Sequence, residues 1–308
     1  MKKVLIAENL NEEEINQIKQ VSPELEVTLD KSDYESQIIV GNIAPGDCKK
    51  YSKMELMLST WTGYDAYIKK GVLNDNCIFC YGKDMHTEEV AEHMFSTMIS
   101  MIKNLHLYRD NQNNFCWNDE GRVKSIVDLN VLIIGLGHIG SYLAKLCKGL
   151  NMHVVGIKRT MIDKPEYVDE LYTIDSLDTE LPKADVVFSI LPSTNETKHL
   201  FSLERFKLMK KDAILINDGR GDLIDTNVLI EVLDNKIIKA IGQDVFENEP
   251  LTKDSPLWKY PNLVITPHVA GFFHLEKDRK KWVNLCVENL KRYLNGESLI
   301  NVVEEREK

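Results

Sequence analysis

The sequence predicts an α/β protein with two domains, each built on a doubly wound parallel sheet. A chain of 308 residues is long enough for two domains with separate hydrophobic cores. Short apolar runs alternate with polar, helix-compatible stretches along most of it. A glycine-rich turn at residues 135–140 follows the apolar run 131–134 and precedes a helical pattern. This order of strand, turn and helix is typical of a dinucleotide-binding unit.

Composition and charge exclude several classes of protein. Hydrophobic residues make up 43% of the chain and charged residues 28%, values that disfavour disorder. A net charge of −10 argues against a nucleic-acid partner and against an anionic membrane surface, but leaves a small anionic substrate possible. No apolar run approaches the roughly 20 residues of a membrane span, and the N-terminus resembles a strand more than a signal peptide. We therefore expect a cytoplasmic protein without a membrane partner.

The six cysteines are scattered, and we expect them to be reduced. Cys77 and Cys80 have a spacing seen in metal and redox sites. They lie in an apolar, strand-like stretch, however, where an offset of three places the two thiols on opposite faces. No second cysteine pair or nearby histidine completes a zinc set. We interpret both cysteines as structural and predict no metal site.

Apolar runs in the first hundred residues predict the strands of the first sheet. They are residues 4–7, 25–29, 38–40, 56–59 and 78–81. Residues 88–108 carry the longest helical pattern, with apolar side chains at spacings of three and four, and predict one helix that bridges the two domains. Residues 111–122 are polar and irregular, and predict a linker with one anchored aromatic residue, Trp117.

The second sheet begins at Val131. Its further predicted strands are residues 154–157, 186–191, 213–216, 237–241 and 263–265, with helices that include 203–209 and 227–233. A final helix over residues 275–294 ends at Asn295-Gly296, a common C-terminal stop signal. Its mixed apolar and charged pattern suits packing on the first domain, so that the chain crosses between the domains twice.

The glycine-rich turn predicts the binding of a nicotinamide dinucleotide. Glycines let the backbone approach a pyrophosphate, and the following helix directs its positive N-terminus at that anion. The predicted contacts are Gly135, Gly137, His138, Ile139 and Gly140. An NAD-selective site usually has a carboxylate after the second strand, whereas Lys158 and Arg159 stand there. These cations favour the 2′-phosphate of NADP, although they could be solvated surface charges with NAD tolerated.

Five motifs in order along the chain carry a specific resemblance. They are residues 135–140, 191–197, 216–221, 244–250 and 266–271, and residues 90–93 add to them. With these motifs the chain resembles the D-isomer-specific 2-hydroxyacid dehydrogenase family over nearly its whole length. The resemblance implies a Rossmann cofactor domain, residues 99–272, inserted into a flavodoxin-like substrate domain formed by residues 1–98 and 273–308. It also implies a homodimer.

The matched residues suit the reduction of a 2-keto acid to a 2-hydroxy acid. His268 is the expected proton donor, since the reference pKa of histidine, about 6.5, lies near working pH. Glu249 would accept the other ring N–H and favour the imidazolium. Arg220 can bind the substrate carboxylate and polarise the carbonyl group. The resemblance assigns the same three roles, and adds cofactor contacts at Pro192, Thr197, Asp218, Gly219 and Asp244 and substrate contacts at Thr62 and Gly63.

The chain departs from the usual family pattern at Asp218, Asp222 and Gln243, so the substrate subgroup stays open. Glyoxylate, hydroxypyruvate or a small aliphatic keto acid is the expected substrate class. A formate dehydrogenase is disfavoured because that chemistry uses Gln where Glu249 stands. An alternative from another class is a catalytically weak, nucleotide-sensing binding protein that resembles a corepressor on the same fold.

Overall fold

The computed structural model describes residues 1–127, 129–271 and 273–304. Residues 128, 272 and 305–308, which belong to the two predicted domains, lie outside this part. The chain forms two compact units. The first unit combines Met1–His86 with Phe273–Lys308, and the second is Thr87–Phe272.

Eight α-helices and twelve strands are found in the described residues. The helices are α1 Glu12–Lys19, α2 Thr87–Ile102, α3 Leu105–Asn113, α4 His138–Gly149, α5 Leu177–Glu180, α6 Leu203–Leu208, α7 Thr226–Asp234 and α8 Glu276–Asn295. The strands are β1 Lys2–Ile6, β2 Leu25–Thr28, β3 Ile38–Val40, β4 Leu56–Leu58, β5 Ile78–Cys80, β6 Asn130–Ile134, β7 His153–Lys158, β8 Glu170–Thr173, β9 Val186–Ser189, β10 Ile214–Asn217, β11 Ala240–Gln243 and β12 Leu263–Ile265. Short 3-10 helices cover Pro45–Lys50, Ile174–Ser176, Leu181–Lys183, Gly221–Leu223 and Pro256–Lys259.

The first unit contains a five-stranded parallel sheet in the order β2-β1-β3-β4-β5. This is the flavodoxin-like order, so the predicted fold class is confirmed for this unit. One face packs against α8, which contributes Trp282 and Leu290 to the core. Cys80 belongs to that core and Cys77 to the core on the other face, as predicted. All six cysteines are free, and burial raises the pKa of Cys80 to about 12.

The second unit contains a seven-stranded parallel sheet in the order β12-β11-β10-β9-β6-β7-β8. It is the Rossmann order with one additional strand, and the order reverses between β6 and β9. The predicted strands of this sheet are confirmed, although β11 begins at Ala240, later than predicted. The edge strand β8 was not predicted, because its polar residues Glu170 and Thr173 leave no continuous apolar run.

The prediction of a single long helix over residues 88–108 is wrong. Asn104 adopts a left-handed conformation, with φ of 54°, and separates α2 from α3. Its side-chain amide donates a hydrogen bond to the carbonyl of Glu120 at 3.0 Å, which fixes the break. The α3 helix then occupies the start of the predicted linker. Trp117 is fully exposed, as is Phe115, so the predicted anchoring of Trp117 is also wrong.

The first boundary between the units lies before α2, rather than after residue 98. Helix α2 packs on α4, β10 and β11 of the second unit. Met94, Met98 and Met101 on α2 are fully buried in the core of that unit. None of the described helices has both the length and the apolar character that a membrane span requires.

A half-buried carboxylate immediately before β9 stabilises the second unit. Asp185 accepts hydrogen bonds from the ammonium groups of Lys124 and Lys210 at 2.9 and 3.0 Å, and from the backbone N–H of Asn130 at 3.0 Å. Burial alone would raise its pKa, but these three donors outweigh burial and lower the pKa from 3.8 to about 2.

Because the folded-state pKa is lowered, the stabilisation is complete above the unfolded value and is lost as pH falls from about 4 to about 2. Asp185→Asn should therefore lower the free energy of unfolding at pH 7 by about 2 kcal/mol, and the difference should shrink in that acid range. Urea denaturation measures this, with the exposed Asp163→Asn as control. Equal stability of Asp185→Asn and wild type at pH 7 would contradict the assignment.

Candidate active site

The three glycines of the turn between β6 and α4 differ in the space around them. Gly135 has φ of +103°, and a Cβ there would lie 2.6 Å from the carbonyl oxygen of Ile190. At Gly140 a Cβ would lie 2.3 Å from the carbonyl oxygen of Gly135. At Gly137 a Cβ would meet nothing within 4 Å. Two glycines therefore shape the turn, and the third faces open space.

Helix α4 begins directly at this open space. Gly137 is its N-cap and has no side chain to satisfy the N–H groups of the first turn. The backbone N–H groups of His138 and Ile139 belong to the first turn of α4, where the helix itself offers no acceptor. The positive end of the α4 dipole lies at the same place and also attracts an anion. The turn therefore fits the pyrophosphate of a dinucleotide.

Two cations lie at the end of β7, beside the same turn. The ammonium of Lys158 donates a hydrogen bond to the carbonyl of Leu136 at 3.0 Å, so its charge is held over the turn. Arg159 is exposed. Lys158, the last residue of β7, and Arg159 directly after it thus present positive charge where an NAD-selective site usually has a carboxylate.

The loop after β9 is closed on itself. The hydroxyl of Thr197 donates to the carbonyl of Pro192 at 2.6 Å and accepts the backbone N–H of Thr194 at 2.9 Å. Ser193 donates from its hydroxyl to the carboxylate of Asp222 at 2.6 Å. Thr197 therefore gives the loop its shape, and Asp222 ties the loop to the turn that carries Arg220.

The Arg220 turn follows β10. The Asn217 side chain donates to the carbonyl of Arg220 at 3.0 Å and accepts the N–H of Gly219 at 3.2 Å. A Cβ on Gly219 would lie 2.7 Å from the backbone of Leu191, so only glycine fits this approach. The Arg220 guanidinium donates to the carbonyl of Gly219 at 2.7 Å. The turn thus fixes both the backbone and the head group of Arg220.

Glu249 and His268 form the predicted pair. His268 Nδ1 lies 2.7 Å from Glu249 Oε2, while Glu249 Oε1 accepts the N–H of Phe246 at 2.7 Å. The hydrogen bond from Glu249 raises the pKa of His268, and the charge of Asp244 adds to it against burial and Arg220. Burial would raise the pKa of Glu249, but His268 and the Phe246 N–H lower it overall. The geometry favours an imidazolium whose Nε2 is directed away from Glu249.

Asp244 organises the segment that contains His268. Its carboxylate accepts hydrogen bonds from the Thr266 hydroxyl at 2.6 Å and from the N–H groups of Val269 and Ala270 at 3.0 Å each. The N–H of His268 donates to the Asp244 carbonyl at 2.8 Å, and His268 adopts φ of 54°. The Asp244 side chain therefore has a structural task in addition to the predicted cofactor contact.

The structure gives Asp218 a partner that the sequence interpretation missed. Its side chain is 1% exposed and lies 2.8 Å from Nδ1 of His93 on α2. A cofactor contact of Asp218 would therefore use its backbone. In the sequence His93 stands out only as part of residues 90–93, which add to the family resemblance. Its contact with Asp218 is not predictable there, since 125 residues separate the two. The one available signal was an unexpected acid beside Arg220.

A third histidine–carboxylate pair braces the segment between Asp244 and Glu249. Nε2 of His199 lies 2.8 Å from Glu247 Oε1, and Glu247 Oε2 accepts the N–H of Thr226 at 2.7 Å. The carboxylate of Asp225 lies close to both and caps α7. His199, Asp225 and Glu247 are residue types that can bind a metal ion, but here both carboxylates already accept hydrogen bonds from the protein. The His199–Glu247 contact connects the loop after β9 with the segment that contains Glu249.

The predicted substrate loop belongs to the first unit. The Thr62 hydroxyl donates to the carbonyl of Gly82 at 2.8 Å, and the N–H of Trp61 donates to the hydroxyl of Ser59 at 3.0 Å. Trp282 of α8 donates from its indole N–H to the carbonyl of Ser59 at 3.1 Å. The loop is thus held rigidly within its own unit.

Comparison with known proteins places the chain in a family. The model of the D-isomer specific 2-hydroxyacid dehydrogenase NAD binding domain matches residues 95–270, more than half of the chain. Glyoxylate/hydroxypyruvate reductase B of Klebsiella pneumoniae is 31% identical over 296 residues, which cover 92% of this chain and 89% of the relative. The chain belongs to the D-isomer specific 2-hydroxyacid dehydrogenases. It is therefore an oxidoreductase that uses a nicotinamide cofactor.

Two further relatives agree with this family. A probable 2-ketogluconate reductase of Dictyostelium discoideum is 37% identical over 244 residues, which cover 75% of this chain and 72% of the relative. Among solved structures, a D-isomer specific 2-hydroxyacid dehydrogenase family protein of Aeromonas salmonicida has a TM-score of 0.85 at 29% identity. It covers 98% of this chain and 99% of its own. These relatives favour the enzyme over the corepressor-like alternative.

The glycines of the turn allow folding and cofactor binding to be separated. Gly140→Ala should lower the free energy of unfolding by about 1–3 kcal/mol, because its Cβ would overlap backbone. Gly137→Ala should leave stability within about 0.5 kcal/mol of wild type, since a Cβ there meets no protein atom. It should nevertheless weaken cofactor binding at least about tenfold if the pyrophosphate approaches this glycine. Thermal melts and fluorescence titration with NADPH measure the two effects. If Gly137→Ala binds NADPH as tightly as the wild type, the pyrophosphate does not approach this glycine.

Proposed function

We propose that the protein reduces a small 2-keto acid to the corresponding D-2-hydroxy acid with NADPH as cofactor. The observation that carries the proposal is the His268–Glu249 pair, 2.7 Å apart, in the same unit as Arg220, whose charge acts on His268. A proton donor and a cation for a carboxylate are the two protein groups that this reduction needs.

The bound cofactor would supply the hydride to the carbonyl carbon. Nε2 of His268 would donate the proton to the carbonyl oxygen, while Glu249 holds the ring and supports its charged form. The Arg220 guanidinium would pair with the substrate carboxylate and polarise the carbonyl group. In the reverse direction the neutral His268 would accept the proton from the hydroxyl group.

The proposed cofactor contacts are grouped around the carboxyl ends of the second sheet. The turn would hold the pyrophosphate, and Lys158 and Arg159 would bind the 2′-phosphate. The further proposed contacts are Gly135, Gly137, His138, Ile139, Gly140, Pro192, Thr197, Gly219 and Asp244, and the backbone, but not the side chain, of Asp218. The open space at Gly137 and the ammonium held over the turn support this arrangement.

Substrates of the class reduced by the named relatives fit these groups. Those relatives are glyoxylate/hydroxypyruvate and 2-ketogluconate reductases by name, and all three acids carry a 2-keto carboxylate. We propose the backbone N–H groups of Thr62 and Gly63 as additional donors to this carboxylate. The braced loop around Thr62 supports a fixed donor geometry.

We further propose a cytoplasmic homodimer. The fully exposed Phe115 and Trp117 support an interface, because large apolar side chains rarely remain in water without a partner. For the location, the free cysteines are as expected in a reducing compartment.

A panel of 2-keto acids, assayed with NADPH and with analysis of product chirality, tests the function. Glyoxylate, hydroxypyruvate or 2-ketogluconate should be reduced, whereas their amides should react poorly because they lack the anionic charge. His268→Ala should lower the rate by about 10²–10⁴ with NADPH affinity retained. If the enzyme binds NADPH but reduces no 2-keto acid, the proposed function is refuted.

The cofactor preference has its own test. Charge-assisted bonds to a phosphate contribute about 1.5–3 kcal/mol each, so kcat/KM should be at least about tenfold higher for NADPH than for NADH. Replacing Lys158 and Arg159 together with neutral residues should remove most of this difference. Lys164→Gln, which removes another ammonium of the same unit, serves as control. Equal or better efficiency of the wild type with NADH would rule out the preference.

The pH dependence tests the pairing of Glu249 with His268. Reduction needs protonated His268, so its raised pKa should place the alkaline limb of the kcat profile above the ordinary range of histidine. Glu249→Gln removes the anion and should move that limb to lower pH. Glu247→Gln, at the neighbouring His199 pair, should leave it in place. An alkaline limb that does not move in Glu249→Gln would show that Glu249 does not tune His268.

Arg220→Lys tests the carboxylate contact. A lysine keeps the charge but loses the forked geometry, so KM for keto acids should rise and kcat should fall. We expect a loss of about 10²-fold or more in kcat/KM with unchanged affinity for NADPH. A lower melting temperature with unchanged KM would instead indicate a structural role for Arg220.

A further inference from the structure

The second unit contains a largely buried ion pair whose side chains have no role in the proposed reaction. The Asp218 carboxylate and the His93 imidazole lie 2.8 Å apart, and their side chains are 1% and 23% exposed. Asp244 and Glu89 add negative charge around His93, and His268 adds positive charge near Asp218. This pair repeats the arrangement of Glu249 and His268, with Nδ1 bonded to a carboxylate, but on α2 and the turn after β10.

A short series of contacts connects this pair with Arg220. Asp218 immediately precedes Gly219, whose carbonyl accepts the hydrogen bond from the Arg220 guanidinium at 2.7 Å. Gly219 itself fits closely against the backbone of Leu191. A displacement of the Asp218 side chain would therefore move the carbonyl that holds the head group of Arg220.

Helix α2 gives the pair a rigid base. His93 is followed on this helix by Met94, Met98 and Met101, which are fully buried in the core beneath the sheet. A buried carboxylate without a partner is costly, so Asp218 is strongly driven to keep its contact with His93. The contact thus transmits the fixed position of α2 to the turn after β10.

We propose that His93 and Asp218 are positioning residues for Arg220, which hold its guanidinium in the geometry that a 2-keto carboxylate requires. This inference rests on the proposed function. Neither side chain needs to touch the substrate, because the pair acts through the Gly219 carbonyl. Its loss should therefore affect keto acid binding more than cofactor binding.

The test compares KM for the keto acid, kcat and the dissociation constant of NADPH in a set of variants. His93→Ala and Asp218→Ala should each raise KM about 10- to 100-fold, as expected for a misplaced binding group, with the NADPH dissociation constant within about twofold. The double variant should be no worse than the more impaired single variant, because both remove one contact. KM does not depend on the fraction of folded enzyme, so partial unfolding cannot produce this result.

Two further variants separate geometry from stability. Asp218→Asn keeps an acceptor for His93 and should restore KM to near the wild-type value. His153→Ala breaks another histidine–carboxylate pair of the same unit, between β7 and β8, where Nε2 of His153 lies 3.0 Å from Glu170. It should leave KM unchanged.

The results distinguish this inference from the proposed function. If Arg220→Lys raises KM but His93→Ala and Asp218→Ala do not, the positioning role is refuted and the proposed function stands. An equal weakening of NADPH and keto acid binding would also refute the positioning role. If Arg220→Lys leaves KM for every keto acid unchanged, Arg220 does not bind the carboxylate and the positioning role fails with it. If the wild type binds NADPH but reduces no 2-keto acid, the proposed function itself fails.

Discussion

The carboxylate of Asp244 determines where the segment with His268 lies. It is 2% exposed, follows β11 directly and accepts a hydroxyl and two backbone N–H groups from residues 266–270. Burying each of these donors unpaired would cost about 1–3 kcal/mol. The left-handed backbone of His268 is tolerated because this set of bonds holds the residues on both sides of it.

Charge balance explains how so many ionisable groups lie together. Asp218, Asp244 and Glu249 contribute three carboxylates, and the cations that face them are His93, His268 and Arg220. The carboxylates favour the charged imidazole rings, so the proton required for reduction is kept at the site. The same carboxylates repel an anionic substrate, and the guanidinium of Arg220 opposes this repulsion. For binding an anionic substrate, the orientation of the Arg220 guanidinium is therefore more important than the net charge of the chain.

Local sequence patterns were sufficient to predict most of the fold and the paired residues of the site. Parallel strands buried on both faces form continuous apolar runs, and the glycine turn has fixed spacing, so both are visible in a single segment. The break at Asn104 was not visible, because it depends on the distant carbonyl of Glu120. For the same reason the contact of His93 with Asp218 required the three-dimensional structure. The edge strand β8 was missed because one exposed side removes the need for an apolar run.

The order of segments along the chain has a consequence for synthesis on the ribosome. The sheet of the first unit is complete by Cys80, but Trp282, Val283, Cys286 and Leu290 of its core arrive only with α8. Between these segments the ribosome makes the whole second unit. Domains generally fold as they emerge, N-terminal first, but here the N-terminal sheet must wait with one apolar face uncovered. The nascent chain therefore finishes its central unit first, and during this interval the exposed face of the first sheet is the part most in need of a chaperone.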